Sequence, residues 1–585
     1  MSLALSPART ELPSAADVVA HTLVNCLLRE VSGPEHQTAV HDGRLLLRLP
    51  RRGELLRVTL RRTSLLGAHR FTGPVQRRDP GGGWTDLDWP QLAELVQAEL
   101  SLRTGVHNEE FLDQLASSHQ GVLAALADRP APGTDRYLES EQALLFGHRF
   151  HPAPKSRSAH GADRATWAAY APEARAAFPL RYLAVRADLL AEQSVDPAAG
   201  ALLDGLLDGV REVPAGYRLL PAHPWQYRLL RDHPRLRAAL ASGEVLDLGC
   251  GGPEFAATAS VRTLHGAGAF LKFSLNVRIT NCLRKNAAYE LTGAVELTGL
   301  LDDALTDLAE RFPDAAVLRE PAYRTLALPG PDGRPDTELL EGFGLIVRED
   351  LSARLRPGLI PLLAAAVADE YPTSSAQLPS LLGPVAAPEL LDWWTRYLRL
   401  LLPPVLAAYF DHGLVLEPHL QNVLVAVDEA GHPAQLLFRD LEGTKLVPEL
   451  LPVATAARLA ALSPEVADPM SYDAQRGWDR VVYCLLVNHV AELLAVIADQ
   501  EPQLEARLWE RVRAVLAEYG ERHGCPPRLR ALLAGVPLPA KANLLTRWER
   551  RADRAAGYVR LPSPLAAEVL AQAAGTPDSP LRSAR

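Results

Sequence analysis

Lysine is scarce in this chain: of 61 basic residues only five are lysine, at positions Lys155, Lys272, Lys285, Lys445 and Lys541. Coding bias toward arginine is the bland cause. It still makes each surviving lysine informative, because a planar guanidinium is a poor replacement for a compact ammonium. Asparagine is also rare, at eight residues, and Asn276, Asn281, Asn286, Asn422 and Asn543 fall in the same neighbourhoods as the lysines. Positive charge is in deficit, with a net charge of −9. A polyanion binder normally carries a basic surplus, so no nucleic-acid partner is expected. The five cysteines, Cys26, Cys250, Cys282, Cys484 and Cys525, form no CxxC pair, which argues against a cysteine metal site and fits a reducing cytoplasm. The longest apolar runs, 357–368 and 400–410, contain proline and fall short of the roughly 18 residues of a membrane span. No transmembrane helix and no membrane partner are expected. Residues 1–12 lack a basic start followed by an apolar core, so no signal peptide is expected either.

What remains is an ordinary globular composition, 585 residues with 48% hydrophobic and 22% charged side chains, long enough for several domain equivalents of about 150 residues. Apolar periodicity predicts helices over 15–31 and 89–103, with alternating strands over 44–49 and 54–62 between them. Further strands are expected at 180–185, 217–220, 256–264, 269–277 and 345–348. Beyond them the pattern turns mainly helical, near 390–410, 478–498 and 504–519, interrupted by a strand pair at 423–427 and 436–439. The Pro/Gly-rich segments 129–133 and 329–335 read as boundaries or turns, and the tail 575–585 as low-complexity and mobile.

Four windows carry chemistry. In 147–157, two histidines, one lysine and two arginines held by prolines form a rigid cationic loop suited to phosphates or carboxylates. An HxxH pair, His148 and His151, is also half of a zinc site, but no third ligand is spaced nearby. In 258–284, strand alternation sends Ser260 and Arg262 to one face, and Lys272, Ser274 and Asn276 to one face of the next strand, presenting hydroxyls and cations together for a nucleotide triphosphate. In 411–443, Asn422 opens an apolar strand and Asp440 closes the next. Kinase-like sites hold Mg²⁺ in this way, and carboxylate and amide oxygens suit that hard cation. Where a kinase would carry its catalytic Asp, this chain has Glu417-Pro418-His419. The fourth window, 537–548, contributes Lys541 and Arg547 and is weak alone.

Taken together, HRFHPAPKSR, LLPAHPWQ, ATASVRTL, LKFSLNVRITNCLR, LEPHLQNVLV, FRDLEG and PAKANLLTRW resemble, in that order across about 147–548, the IucA/IucC family, the synthetases that build siderophores without a nonribosomal peptide template. The departures are Pro418, where the family usually has a small residue, and His148-Arg149 in place of a common His-Pro. The resemblance implies an α+β fold in three parts, a cupped hand with a thumb (1–130), fingers (131–335) and a helical palm (336–585) holding a kinase-like nucleotide cradle. It implies the reaction as well: ATP and a carboxylate give an acyl-adenylate and pyrophosphate, and an amine or hydroxyl then displaces AMP to leave an amide or ester. Carried over, His151, Ser260, Arg262 and Thr263 contact ATP, with Lys272 and Arg284 reaching phosphates or substrate carboxylates. Glu417, His419, Gln421, Asn422 and Asp440 form the palm side, with Asn422 and Asp440 on Mg²⁺ and His151, Lys272, Arg284 and His419 as the catalytic set. The expected partners are small-molecule carboxylates and an amine or hydroxyl substrate, acting on a cytoplasmic homodimer. A small-molecule kinase and a binding protein with a dead nucleotide site are the competing readings.

Overall fold

A computed structural model describes residues 12–127, 129–158, 167–207, 210–279, 282–552 and 555–574. Asn281 and the tail 575–585 lie outside them. The described chain is a mixed helix and sheet fold built around three sheets of four or more strands.

The first sheet has five antiparallel strands in sequence order, Thr38–His41, Arg44–Arg48, Leu55–Arg62, Arg70–Arg78 and Trp84–Leu87. Helices Ala15–Leu27, Trp89–Thr104 and Glu110–Ala127 share its core. Local chemistry sets their ends: Asp88 and Gln91 form a reciprocal capping box ahead of the second helix, and Gly105 closes it in the left-handed conformation. The same core takes in Leu544 and Trp548 from the far end of the chain.

The second sheet has eight antiparallel strands, in the order Leu190–Ser194, Ala322–Leu326, Leu345–Glu349, Ala269–Phe273, Thr263–Gly266, Val245–Ala257, Ala177–Arg186 and Tyr217–Ala222. Two corrections follow. The strand expected at 256–264 breaks at 258–262, where Val261 takes the left-handed conformation at φ 68°. The strand expected at 269–277 breaks at Ser274, beyond which Leu275–Ile279 joins a separate small sheet. Periodicity also missed most of Val245–Ala257, whose Gly249 and Gly252 sit at bulges, with register shifts at 247/249 and 251/254.

The third sheet pairs Val423–Val427 with Pro433–Phe438, as expected, and adds Ile360–Leu363 antiparallel and Ala315–Val317 parallel. The expected division at 335/336 therefore coincides with no sheet boundary: Leu345–Glu349 returns to the eight-stranded sheet, and Ala315–Val317 leaves for the third. Against this sheet packs the 26-residue helix Ala387–His412, burying Trp393, Trp394 and Tyr397. Gly413, left-handed at φ 62°, stops that helix. The continuous helical stretch 474–500 is long and apolar enough to cross a membrane, which the 357–368 and 400–410 runs are not. Its most apolar 18-residue window is 94% buried inside the fold, and the stretch serves as a core helix.

Candidate functional site

A cavity of about 500 Å³ opens between the second and third sheets, with walls from many separated stretches of chain between 144 and 543. The turn at 258–263 shapes one wall. Its backbone is pinned by Val261 N donating to Thr258 O (2.8 Å) and Thr258 Oγ1 donating to Thr263 O (2.7 Å). This tight turn, rather than strand alternation, brings Ser260 and Arg262 to the cavity together. Thr263 does not line it. It is buried underneath, its hydroxyl 3.0 Å from that of Ser260, so the expected ATP contact is a support for Ser260 instead.

Opposite Thr263 in register stands Lys272, 1% exposed, donating from Nζ to Asp440 Oδ1 and to Glu442 Oε2, each at 2.5 Å. Burial alone would lower this ammonium, but Asp440 and Glu442 outweigh it and raise its pKa. Burial would likewise raise the Asp440 carboxyl, yet Lys272 and Arg348 hold it well below the usual carboxylate range. Arg348 Nη2 donates to the same Oδ1 at 2.7 Å and to Glu320 at 2.6 Å. Glu320 in turn receives the Glu442 backbone N–H at 2.8 Å. Arg262 is held by Asn286 Oδ1 at 2.5 Å and lies 3.7 Å from Glu442. Asp440 itself is left-handed, φ 73°, a strained position for a non-glycine residue, two residues after the end of the strand Pro433–Phe438.

Across from it runs the loop from Glu417 to Asn422. His489, buried in the helical stretch behind, stands with Nδ1 2.6 Å from Pro418 O, and Arg480 pairs with Glu417 at 2.6 Å. Removal from water pushes His419 down to about 4, so it is a neutral imidazole at pH 7. Gln421 Nε2 donates to Ala259 O at 2.9 Å, tying this loop to the opposite turn. A π-helical stretch, Tyr483–Val490, adds Tyr483, Cys484 and Asn488 to the wall. Such widened turns recur at functional sites.

The structure thus brings His151, Ser260, Arg262, Lys272, Arg284, Glu417, His419, Gln421, Asn422 and Asp440 to one cavity and leaves out only Thr263 of the expected set. One further expectation changes. The loop 147–157 is largely neutralised by acids from other segments: Arg149 pairs with Glu370 and Glu492, Lys155 donates to Leu144 O and lies 3.8 Å from Glu173, and Arg157 pairs with Glu173. Lys285 is 19% exposed and paired with Glu341 at 3.0 Å, away from the cavity lining. Sequence reasoning missed Arg348, Glu442, Glu320 and Arg480. Arginine abundance hid two of them, and no spacing rule links acids so far apart in sequence. Lys541 and Asn543, weak as a motif, do line the cavity.

Among the described residues no group of three His, Cys, Asp or Glu is arranged to hold a metal. Mg²⁺ bound with a nucleotide needs less, one or two protein oxygens with phosphate and water completing its shell. The donor set fits: Asp440 is ionised, its Oδ1 takes both cations, and Asn422 lines the same cavity.

Residues 136–369 match the family described as IucA / IucC family, and 391–556 match one described as ferric iron reductase FhuF-like transporter. The chain is 31% identical over 447 residues to L-2,3-diaminopropanoate–citrate ligase of Staphylococcus aureus, spanning 74% of this chain and 75% of that protein. It is 28% identical to the rhizobactin siderophore biosynthesis protein RhbC of Rhizobium meliloti, spanning 92% and 94%. Among solved structures, ATP-bound aerobactin synthetase IucA from Klebsiella pneumoniae superposes with a TM-score of 0.80 at 25% identity, covering 94% of this chain and 99% of that one. The petrobactin biosynthesis protein AsbB from Bacillus anthracis shares the fold, with a TM-score of 0.74 at 17% identity and coverage of 94% of each chain.

Proposed function

Because this chain belongs to the IucA/IucC family, we propose that it is an ATP-dependent siderophore synthetase, adenylating a carboxylic acid and passing the acyl group to an amine or hydroxyl. The observation that carries this is the convergence of Arg262, Lys272, Arg284, Arg348, Asn422 and Asp440 on one cavity. Adenylation brings an anionic carboxylate against an anionic phosphate, a repulsion that fixed cations in a partly dry site offset. Ser260 and Arg262, on their tight turn, and Lys272 beneath them are placed to bind phosphates, with Arg284 for phosphate or carboxylate. His151 and neutral His419 supply imidazoles able to donate or accept one proton. Asn422 and Asp440 would hold Mg²⁺, which when bound supplies positive charge against the phosphate oxygens.

Citrate ligation by the relatives supports a polycarboxylate as the acid. The three-part hand is part of this reading: a thumb (1–130), fingers (131–335) and a helical palm (336–585) whose Asn422–Asp440 strand pair would form the kinase-like cradle. A cytoplasmic homodimer completes the reading, checked by light scattering on the purified chain. The kinase alternative loses ground because Glu417, the acid nearest a kinase base position, is neutralised by Arg480. Product analysis decides: incubation with ATP, Mg²⁺, citrate and a diamine should release AMP and pyrophosphate. Release of ADP would reject the proposal.

A further inference from the structure

Glu30 is 1% exposed, far from the cavity in sequence, and its carboxylate is fully used. Oε1 accepts the Leu544 backbone N–H at 3.0 Å and Oε2 that of Leu545 at 2.9 Å. It sits in the π-helical stretch Leu28–Ser32 that ends the first helix, beside Arg29, whose guanidinium lies 3.1 Å over the ring of Phe150. Phe150 belongs to the cavity loop, and its carbonyl accepts from Asn543 Nδ2 at 3.0 Å. Three segments distant in sequence therefore meet at one buried point. Two of them then enter the cavity wall, through His148, Arg149 and His151 on one side and Lys541 and Asn543 on the other. Behind Leu544 the chain is anchored again, where Asn108 Nδ2 donates to Trp548 O at 2.9 Å and Trp548 Nε1 donates to Thr104 Oγ1 at 2.8 Å.

We infer that Glu30 is a positioning residue for the cavity, fixing the 541–545 backbone so that Lys541 and Asn543 face the bound nucleotide or acid. A carboxylate buried this deeply is costly unless both oxygens are satisfied. Here its two partners are adjacent backbone N–H groups at the start of one turn, an arrangement that sets the register of that turn and not merely its packing. Glutamine has nearly the same volume but puts an NH₂ donor where one backbone donor must be accepted. Glu30→Gln should therefore shift the turn without emptying the core.

Two measurements test this, and only the second rests on the proposed function. Five lysines are few enough to be assigned one by one in protein carrying ¹³C-labelled lysine. Glu30→Gln should move the Lys541 signal, assigned from Lys541→Arg, and leave those of Lys285 and Lys445 in place. An unmoved Lys541 signal, or equal movement of all five, overturns the inference. In the second measurement, ATP–pyrophosphate exchange, Glu30→Gln and Lys541→Met should each lower kcat/KM about 10-fold or more. The double variant should be no worse than Lys541→Met, because the two act through one contact. Multiplying losses would mean that Glu30 serves stability alone. Should Glu30→Gln fail to fold, Glu30→Asp, which keeps both acceptor oxygens but is one methylene shorter, is read by the same two criteria. A wild-type protein without exchange activity would strike the proposed reaction, and the lysine spectrum would still decide the role of Glu30.

Discussion

Lys272 shows why lysine survives in an arginine-rich chain. Its ammonium stands between Asp440 and Glu442 at 2.5 Å from each, at 1% exposure, with Arg348 already occupying the flank of Asp440. A guanidinium is longer and fixes its donors in a fork, so it does not fit between these acids without moving Asp440 off its strained backbone position. Lys272→Arg should lower ATP–pyrophosphate exchange by about 10²-fold or more. Lys285→Arg is the control: its pairing with Glu341 lies outside the cavity, and a guanidinium can keep it. Near wild-type exchange by both folded variants would show that ammonium size is irrelevant at position 272.

At the scale of elements, the site depends on where helices stop. The helix Ala387–His412 ends at Gly413, and its exit direction places the strand Leu414–Val415 and then the loop that carries Glu417 to Asn422. A methyl group added at Gly413 would meet Val447 O at 2.9 Å and the Leu450 carbonyl carbon at 3.1 Å, both backbone, at a left-handed φ of 62°. Gly413→Ala should therefore destabilise by roughly 1–3 kcal/mol, read as a lower thermal midpoint, with a parallel loss of ATP affinity as the loop shifts. An unchanged midpoint would mean that the 447–451 segment yields freely. Pro403 and Pro404 lie inside the same helix, each removing one backbone hydrogen bond. The surrounding core, with Trp393, Trp394, Tyr397 and Tyr409 all at most 1% exposed, outweighs that loss.

For the molecule as a whole, acid should be the weak side. Burial pushes His69, His419 and His489 down to about 4 and His223 to about 3. The unfolded chain binds these protons near pH 6.5 and the folded one does not, so stability is lost as pH falls from about 6.5 toward 4, by up to roughly 1.4 kcal/mol per pH unit for each imidazole. Glu30, raised by burial to about 8, and Asp369, raised to about 6, act in the opposite sense but are outnumbered. Thermal midpoints measured from pH 7 to pH 4.5 should drop steeply, and a flat profile would contradict the burial of these rings. The second whole-molecule expectation concerns the ends of the chain. Leu544 and Trp548, both 0% exposed, complete the core of the N-terminal sheet and helices. A chain ending at Val536 should lose cooperative unfolding of that N-terminal part, visible as a missing or much broadened calorimetric transition. A normal transition would show that the core closes without them.

The sequence by itself determined the chemistry available and its order. The scarce lysines and asparagines, the hydroxyl and cationic residues around Ser260, and the Asn422 and Asp440 positions flanking two apolar strands were all legible, because residue type and local periodicity depend on near neighbours alone. Helices and the 423–427 with 436–439 strand pair were legible for the same reason. Tertiary structure decided what each group faces. Thr263 lies under Ser260 rather than beside it because a left-handed Val261 bends the chain where alternation predicts a strand. Lys272 meets Asp440 across 168 positions, and Glu30 meets Leu544 across 514. Pairings of that span follow from how sheets stack and cores close, and burial and charge neighbours, which set whether a carboxylate is ionised or an imidazole neutral, come into being only when those distant segments have packed.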